Sequence, residues 1–169
     1  MTNKQKTLNK KLLAAAISST SANDIHSLIR QGAEINCTNE WGLTPLMLAA
    51  QYNTRVVVLK ALIKDGADIA AVEPKYRSNA LHLAANTCSN PKIIEALVEA
   101  GSDINARNYL GETPLIMSVL QNQNTRIFSQ LITCGADITI CDWQGHNVME
   151  YARREKRPYI ITILKQLGL

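Results

Sequence analysis

A short motif recurring at a fixed interval constrains a chain more than any other feature, because it commits the fold to stacked copies of one unit. Here the tetrad G-[AS]-[DE]-I opens at Gly32, Gly66, Gly101 and Gly135, at intervals of 34, 35 and 34 residues. A second series keeps step with it. Thr44, Asn79, Thr113 and Asn147, spaced by 35, 34 and 34, head the apolar runs TPLMLAA, NALHLAA, TPLIMSV and NVMEYAR. Thr and Asn suit the position before a helix, since a side-chain oxygen can accept from a backbone N–H left unpaired in the first turn. Pro45 and Pro114 then fall where a missing N–H costs nothing. The glycines follow apolar runs such as Val56 to Ile63 and Ile93 to Val98, where a left-handed cap ends a helix. Each period therefore reads as cap, helix, short loop, helix, glycine stop and a turn of about ten residues leading to the next cap. Helices this short are marginal alone, so each unit must bury its apolar faces against its neighbours.

The TPLMLAA and NALHLAA runs, with GADI and a period close to the family's of about 33 residues, resemble ankyrin repeats. The likeness runs from Leu8 to Leu169 and implies an all-α solenoid of about five helix-turn-helix units joined by β-hairpin-like turns. The chain is expected to form a single ankyrin-repeat domain over 1–169, with units 8–38, 39–73, 74–107, 108–141 and 142–169, the first and last acting as caps. Two departures stand out. The loop between paired helices is one residue longer than the family pattern leads one to expect, which reads as a harmless change on the convex side. The turn from Gly66 to Arg77 is one residue longer than its counterparts, contains Pro74, and ends in Arg77 where they have Gly42, Gly111 and Gly145. If that position needs positive φ, Arg77 either accepts strain or gives the turn another shape. The tip AAVEPKYR is then either a specialised feature or drift in a surface loop.

Chemistry is not legible in this sequence. HExxH, GxGxxG, P-loop and GxSxG patterns are absent. Cys37, Cys88, Cys134 and Cys141 make no CxxC pair and no metal spacing with His26, His82 or His146, so neither metal nor cofactor is expected and the cysteines read as reduced. His82 holds the place where the family uses an imidazole to tie neighbouring turns, and Cys37 aligns with Ala71 and Ala106, a place for a small buried side chain. The segment KQKTLNKKLLAAAISSTSA imitates a secretory signal, but its apolar core, Leu12 to Ile17, is too short and serves better as the first helix of the first unit. With no apolar run of roughly 18 residues either, a cytoplasmic protein without a membrane span is expected.

What remains is binding. In ankyrin-like stacks the turn tips and the exposed edge of each first helix form the concave surface. The tips hold Glu40 and Trp41, Lys75 and Tyr76, Tyr109 and Leu110, Trp143 and Gln144, so each presents one large aromatic residue, in a chain with only 2 Trp, 5 Tyr and 1 Phe. Tyr52, near Gln51, lies at the concave end of a first helix, with Leu43 and Leu120 close by. Such a row suits interface anchors, which bury much area while freezing few rotamers. The competing reading is that these rings pack on the neighbouring turn. The expected partner-binding residues are therefore Trp41, Leu43, Tyr52, Lys75, Tyr76, Arg77, Tyr109, Leu110 and Trp143, on a monomer that binds another protein without catalysis. A second reading rests on charge: outside residues 12–152 there are nine Lys or Arg and one acid, against a net −4 between. Basic ends could attract nucleic acid or an anionic membrane, although terminal units must in any case show a polar face to water. No aromatic residues interleave the basic run as in a single-strand binding groove, so nucleic acid is not the expected partner.

Overall fold

The structure, a computed structural model, describes residues 2–169. Its ten helices form five consecutive pairs: α1 (Asn3–Ser18) with α2 (Ala22–Arg30), α3 (Pro45–Tyr52) with α4 (Val56–Lys64), α5 (Ala80–Thr87) with α6 (Pro91–Glu99), α7 (Pro114–Leu120) with α8 (Thr125–Thr133), and α9 (Val148–Arg154) with α10 (Pro158–Gln166). No strand occurs among the described residues. The odd-numbered helices pack in one row, α1 on α3, α3 on α5, α5 on α7 and α7 on α9, while α2, α4, α6 and α8 form a second row behind it. One continuous apolar core fills the space between the rows. This is the quasi-linear architecture of a solenoid, in which each unit is completed by its neighbours.

The caps read from the sequence form as expected. The side chains of Thr44, Asn79 and Thr113 accept from the backbone N–H three residues on, at 3.3, 3.1 and 3.3 Å. Gly66, at φ +94°, ends α4, and the Ala67 N–H behind it returns to the Leu62 carbonyl, the bonding that a left-handed C-terminal residue makes possible. The first helix departs from expectation in length. It spans 16 residues and starts ahead of Leu8, because Thr2 caps it by accepting from the Gln5 N–H and the Lys-rich segment that follows consists largely of good helix formers.

The longer loops between paired helices are not neutral. Asn53 and Asn122 are buried, and each donates both amide protons to carbonyls of the preceding repeat, Asn53 to Ala16 and Ser19, Asn122 to Ala85 and Cys88, all at 3.0 Å. Their carbonyl oxygens accept from the N–H two residues on. In these two loops the asparagine thus serves as a staple between units, which satisfies backbone groups that burial would otherwise leave unpaired.

Comparing junctions along the stack exposes a seam. Between the third and fourth pairs, the side chain of Asn105 accepts from the Asp137 N–H, Asn122 makes its two bonds, the Tyr109 N–H reaches the Tyr76 carbonyl, and His82 Nε2 lies 3.1 Å from the Glu112 carbonyl. Between the second and third pairs each of these positions has lost its polar group. Ala70 stands for Asn105, Cys88 for Asn122, Pro74 for Tyr109 and Met47 for His82. The bond from Asn90 Nδ2 to the Thr54 carbonyl, 2.8 Å, repeats the pattern made by Asn124 to Ser89, and the exposed contacts of Thr87 Oγ1 with the Gln51 carbonyl and of Lys60 with Glu99 also cross this junction. Restoring two of the ties with Ala70→Asn and Cys88→Asn is expected to raise stability by about 1–2 kcal/mol, at roughly 1 kcal/mol net per tie. Urea denaturation checks it, and an unchanged midpoint would show that the seam is already compensated by packing.

Candidate partner-binding surface

Each turn tip is built on one acceptor side chain at its base. Asn39 Oδ1 accepts from the Trp41 and Leu43 N–H groups at 3.0 and 2.9 Å, Asn108 Oδ1 from Leu110 and Glu112 at 2.9 and 3.0 Å, and Asp142 Oδ1 from Gln144 and His146 at 2.9 and 2.8 Å. In the irregular turn the same place is held by Glu73, whose two oxygens accept from Lys75, Tyr76 and Ser78 at 2.7, 2.8 and 3.1 Å. One additional methylene in the side chain spans one additional residue in the turn. Arg77 keeps the shape of the other tips at φ +54°, beside +76°, +80° and +88° for Gly42, Gly111 and Gly145. It therefore accepts the left-handed strain, at a cost of about 1 kcal/mol. Glycine serves at two of the others for a second reason. A Cβ on Gly42 would collide with the Pro74 ring, and one on Gly111 would sit 2.6 Å from the Trp143 nitrogen.

Between these tips and the first helices lies a groove of about 870 Å³. Trp41, Tyr76 and Leu110 line it from the tips, Leu43 lines it ahead of α3, and Tyr52, Leu83, Met117 and Leu120 line it from the inner helices. Helices α3, α5 and α7 contain no Asp, Glu, Lys or Arg, so the inner wall is uncharged. The charged groups at the groove are Glu40, Glu73, Lys75 and Glu112, all from turns. Lys75 Nζ sits 4.7 Å from the centre of the Tyr76 ring.

The structure sorts the expected residues into two groups. Trp41, Leu43, Tyr52, Lys75, Tyr76 and Leu110 come together around the groove, and Trp41 and Tyr52 are 67% and 55% exposed. Arg77, Tyr109 and Trp143 stand outside it. Trp143 is 63% exposed yet engaged: its Nε1–H donates to the Tyr109 carbonyl at 3.1 Å, its N–H to that of Leu110, and the Arg107 guanidinium lies over its ring at 4.2 Å. The sequence reading missed Leu83, Asn86, Glu112 and Met117 as groove residues. Leu83 and Met117 hold one register position of successive first helices, which was the available signal.

Family comparison agrees with this geometry. A family model described as ankyrin repeats (three copies) matches residues 12–108, and one described as ankyrin repeat matches residues 110–143. The chain belongs to the ankyrin-repeat family. Ankyrin repeat protein FPV031 of Fowlpox virus (strain NVSL) is 32% identical over 125 residues, 73% of this chain and 36% of its own length. Palmitoyltransferase ZDHHC13 of Homo sapiens is 36% identical over 99 residues, 59% of this chain and 16% of its own. Neurogenic locus notch homolog protein 1 of Xenopus laevis is 33% identical over 134 residues, 78% of this chain and 5% of its own. The chain thus spans little more than a third of the first of these relatives and far less of the others.

Within the ankyrin stack His82 is fully buried and ties two repeats. Burial pushes its pKa down; Nε2–H donates to the Glu112 carbonyl, and Nδ1 lies 2.8 Å from Asn79 Oδ1 and 3.4 Å from the Asn79 N–H. Cys37 is buried as well, and its thiol is pushed up to about 11, first by burial and then by Glu34, which disfavours the reactive thiolate. The basic residues of the two ends occupy α1 and the α9–α10 region, at opposite ends of the ankyrin stack. Several at the C-terminal end already have company. Arg154 lies near Glu155 and over Tyr151, and Arg157 donates to Gln123 at 2.7 Å. No helix among the described residues is long and apolar enough to cross a membrane.

Proposed function

We propose that the chain is a non-catalytic ankyrin module that holds a partner protein in the groove between its turn tips and inner helices. Repeats of this family are generally protein–protein interaction modules. The observation that carries the reading is the uncharged inner wall beneath exposed Trp41, Tyr52 and Tyr76, an apolar surface that a monomer gains nothing by showing to water. The terminal units act as caps in this reading, with their lysines and arginines providing the solvated outer face.

The test against polyanions follows from the separation of the basic ends. Two clusters at opposite ends of a stack release few counterions together, so binding to duplex DNA or to acidic vesicles is expected to be weak and to vanish near physiological salt. Titration with a labelled duplex across a salt series measures this. Sub-micromolar binding that survives physiological salt, and is lost when Arg153, Arg154, Lys156 and Arg157 become Gln, would replace the protein partner with a polyanion.

A further inference from the structure

Glu112 carries information about the partner that the apolar wall does not. It is 9% exposed, and at its position the other repeats place Leu43, Ser78 and His146. Its Oε2 accepts from Asn108 Nδ2 at 2.8 Å; its Oε1 has no hydrogen-bond partner and the carboxylate has no ion-pair partner among the described residues. The other buried acid of the groove, Glu73, is fully occupied by three backbone N–H groups. Lys75, the single cation lining the groove among the described residues, lies over the Tyr76 ring and makes no ion pair with them. Two further acceptors in the same lining, Gln51 Oε1 and Asn86 Oδ1, are buried without partners. A carboxylate oxygen without a partner, at a groove whose lining carries three acids (Glu40, Glu73 and Glu112) and one base (Lys75), favours a cationic side chain.

Resting on the protein-binding reading above, we infer that the groove takes a peptide segment in which apolar side chains flank one Lys or Arg, whose cation meets Glu112. The apolar neighbours have the uncharged wall of Leu43, Leu83, Met117 and Leu120 to cover. The stem of the basic side chain lies along Leu110 and Met117 while its head reaches the carboxylate, the arrangement that long cationic side chains adopt at half-apolar sites. An acidic segment is disfavoured, because it would meet Glu40 and Glu112 with only Lys75 to receive it.

The experiment selects a phage-displayed random dodecapeptide library on the full chain and measures synthetic versions of the selected peptides by calorimetry. Selected peptides are expected to contain Lys or Arg between apolar residues. Changing that residue to Gln should weaken binding to the wild-type chain about tenfold, and binding to Glu112→Gln by less than about twofold, since the pair is already broken there. Glu112→Gln keeps an oxygen for Asn108; Glu112→Ser, copying Ser78 of the preceding repeat, gives the same comparison if the first variant does not fold. Peptides that lose binding when Trp41, Tyr52 and Tyr76 become Ala, yet show no basic residue or no coupling to Glu112, would overturn this inference and leave the groove reading standing. Peptides indifferent to the three aromatic residues, or a selection that yields none, would sink both. A single-stranded oligonucleotide that displaces the peptides at physiological salt would assign the groove to nucleic acid instead.

Discussion

Replacing Phe128 with alanine is expected to lower the free energy of unfolding by about 3–5 kcal/mol. Phe128 is the chain's one phenylalanine and its largest fully buried side chain, held on α8 in the continuous core. Helix α8 packs on α6 and α7, so the vacated volume is bounded by two repeats that are themselves fixed by Asn122, Tyr109 and His82. A cavity in such a frame has little freedom to collapse, which places the loss toward the upper part of that range. Urea denaturation followed by circular dichroism measures it as a shift in midpoint at a constant slope. A loss under about 1 kcal/mol would mean that the fourth pair is not part of one core. Phe128 does not line the groove, so where the variant remains folded its ligand affinity should be unchanged.

The architecture was legible because two motif series keep one period, and each motif marks a helix end by a local mechanism. An N-cap such as Thr44 or a stop such as Gly66 acts within a single turn of chain, so one sequence suffices to see it. The role of Asn53 and Asn122 was not legible. Their bonds run to residues 34 and 37 positions back, and nothing in the local sequence separates a buried staple from a solvated loop residue. The irregular turn falls between these cases. Its extra residue and its arginine can be read directly, whereas the compensation by the longer side chain of Glu73 emerges only when its three bonds are compared with those of Asn39, Asn108 and Asp142.

The aromatic row illustrates the same limit. Trp41 and Trp143 occupy similar tips, yet Trp143 is held by Tyr109, Leu110 and Arg107 while Trp41 borders the groove. The difference arises from register: Trp143 is the first residue of its tip and lies back against Gly111 of the preceding turn, whereas Trp41 is the second residue of its tip and lines the groove as Tyr76 and Leu110 do. The seam between the second and third pairs has the same origin. Ala70, Cys88 and Met47 each look like ordinary variation, Pro74 marks the irregular turn, and only the stack brings their lost bonds to one junction.

The central claim is that a partner protein sits in the groove, and one calorimetric comparison tests it most directly. Trp41→Ala, Tyr52→Ala and Tyr76→Ala together remove exposed groove rings with little core, so the fold should survive. With two of the three acting as anchors at about 2 kcal/mol each, affinity for a partner captured by the wild-type chain should fall by about 4 kcal/mol, close to a thousandfold. The matched control changes Lys60, Lys92 and Arg126, exposed residues of the second-row helices, to Ala, with an expected effect under about 0.5 kcal/mol. A folded groove variant that binds with wild-type affinity, while the second-row variant fails to bind, would contradict the account and move the interface to the opposite face of the stack.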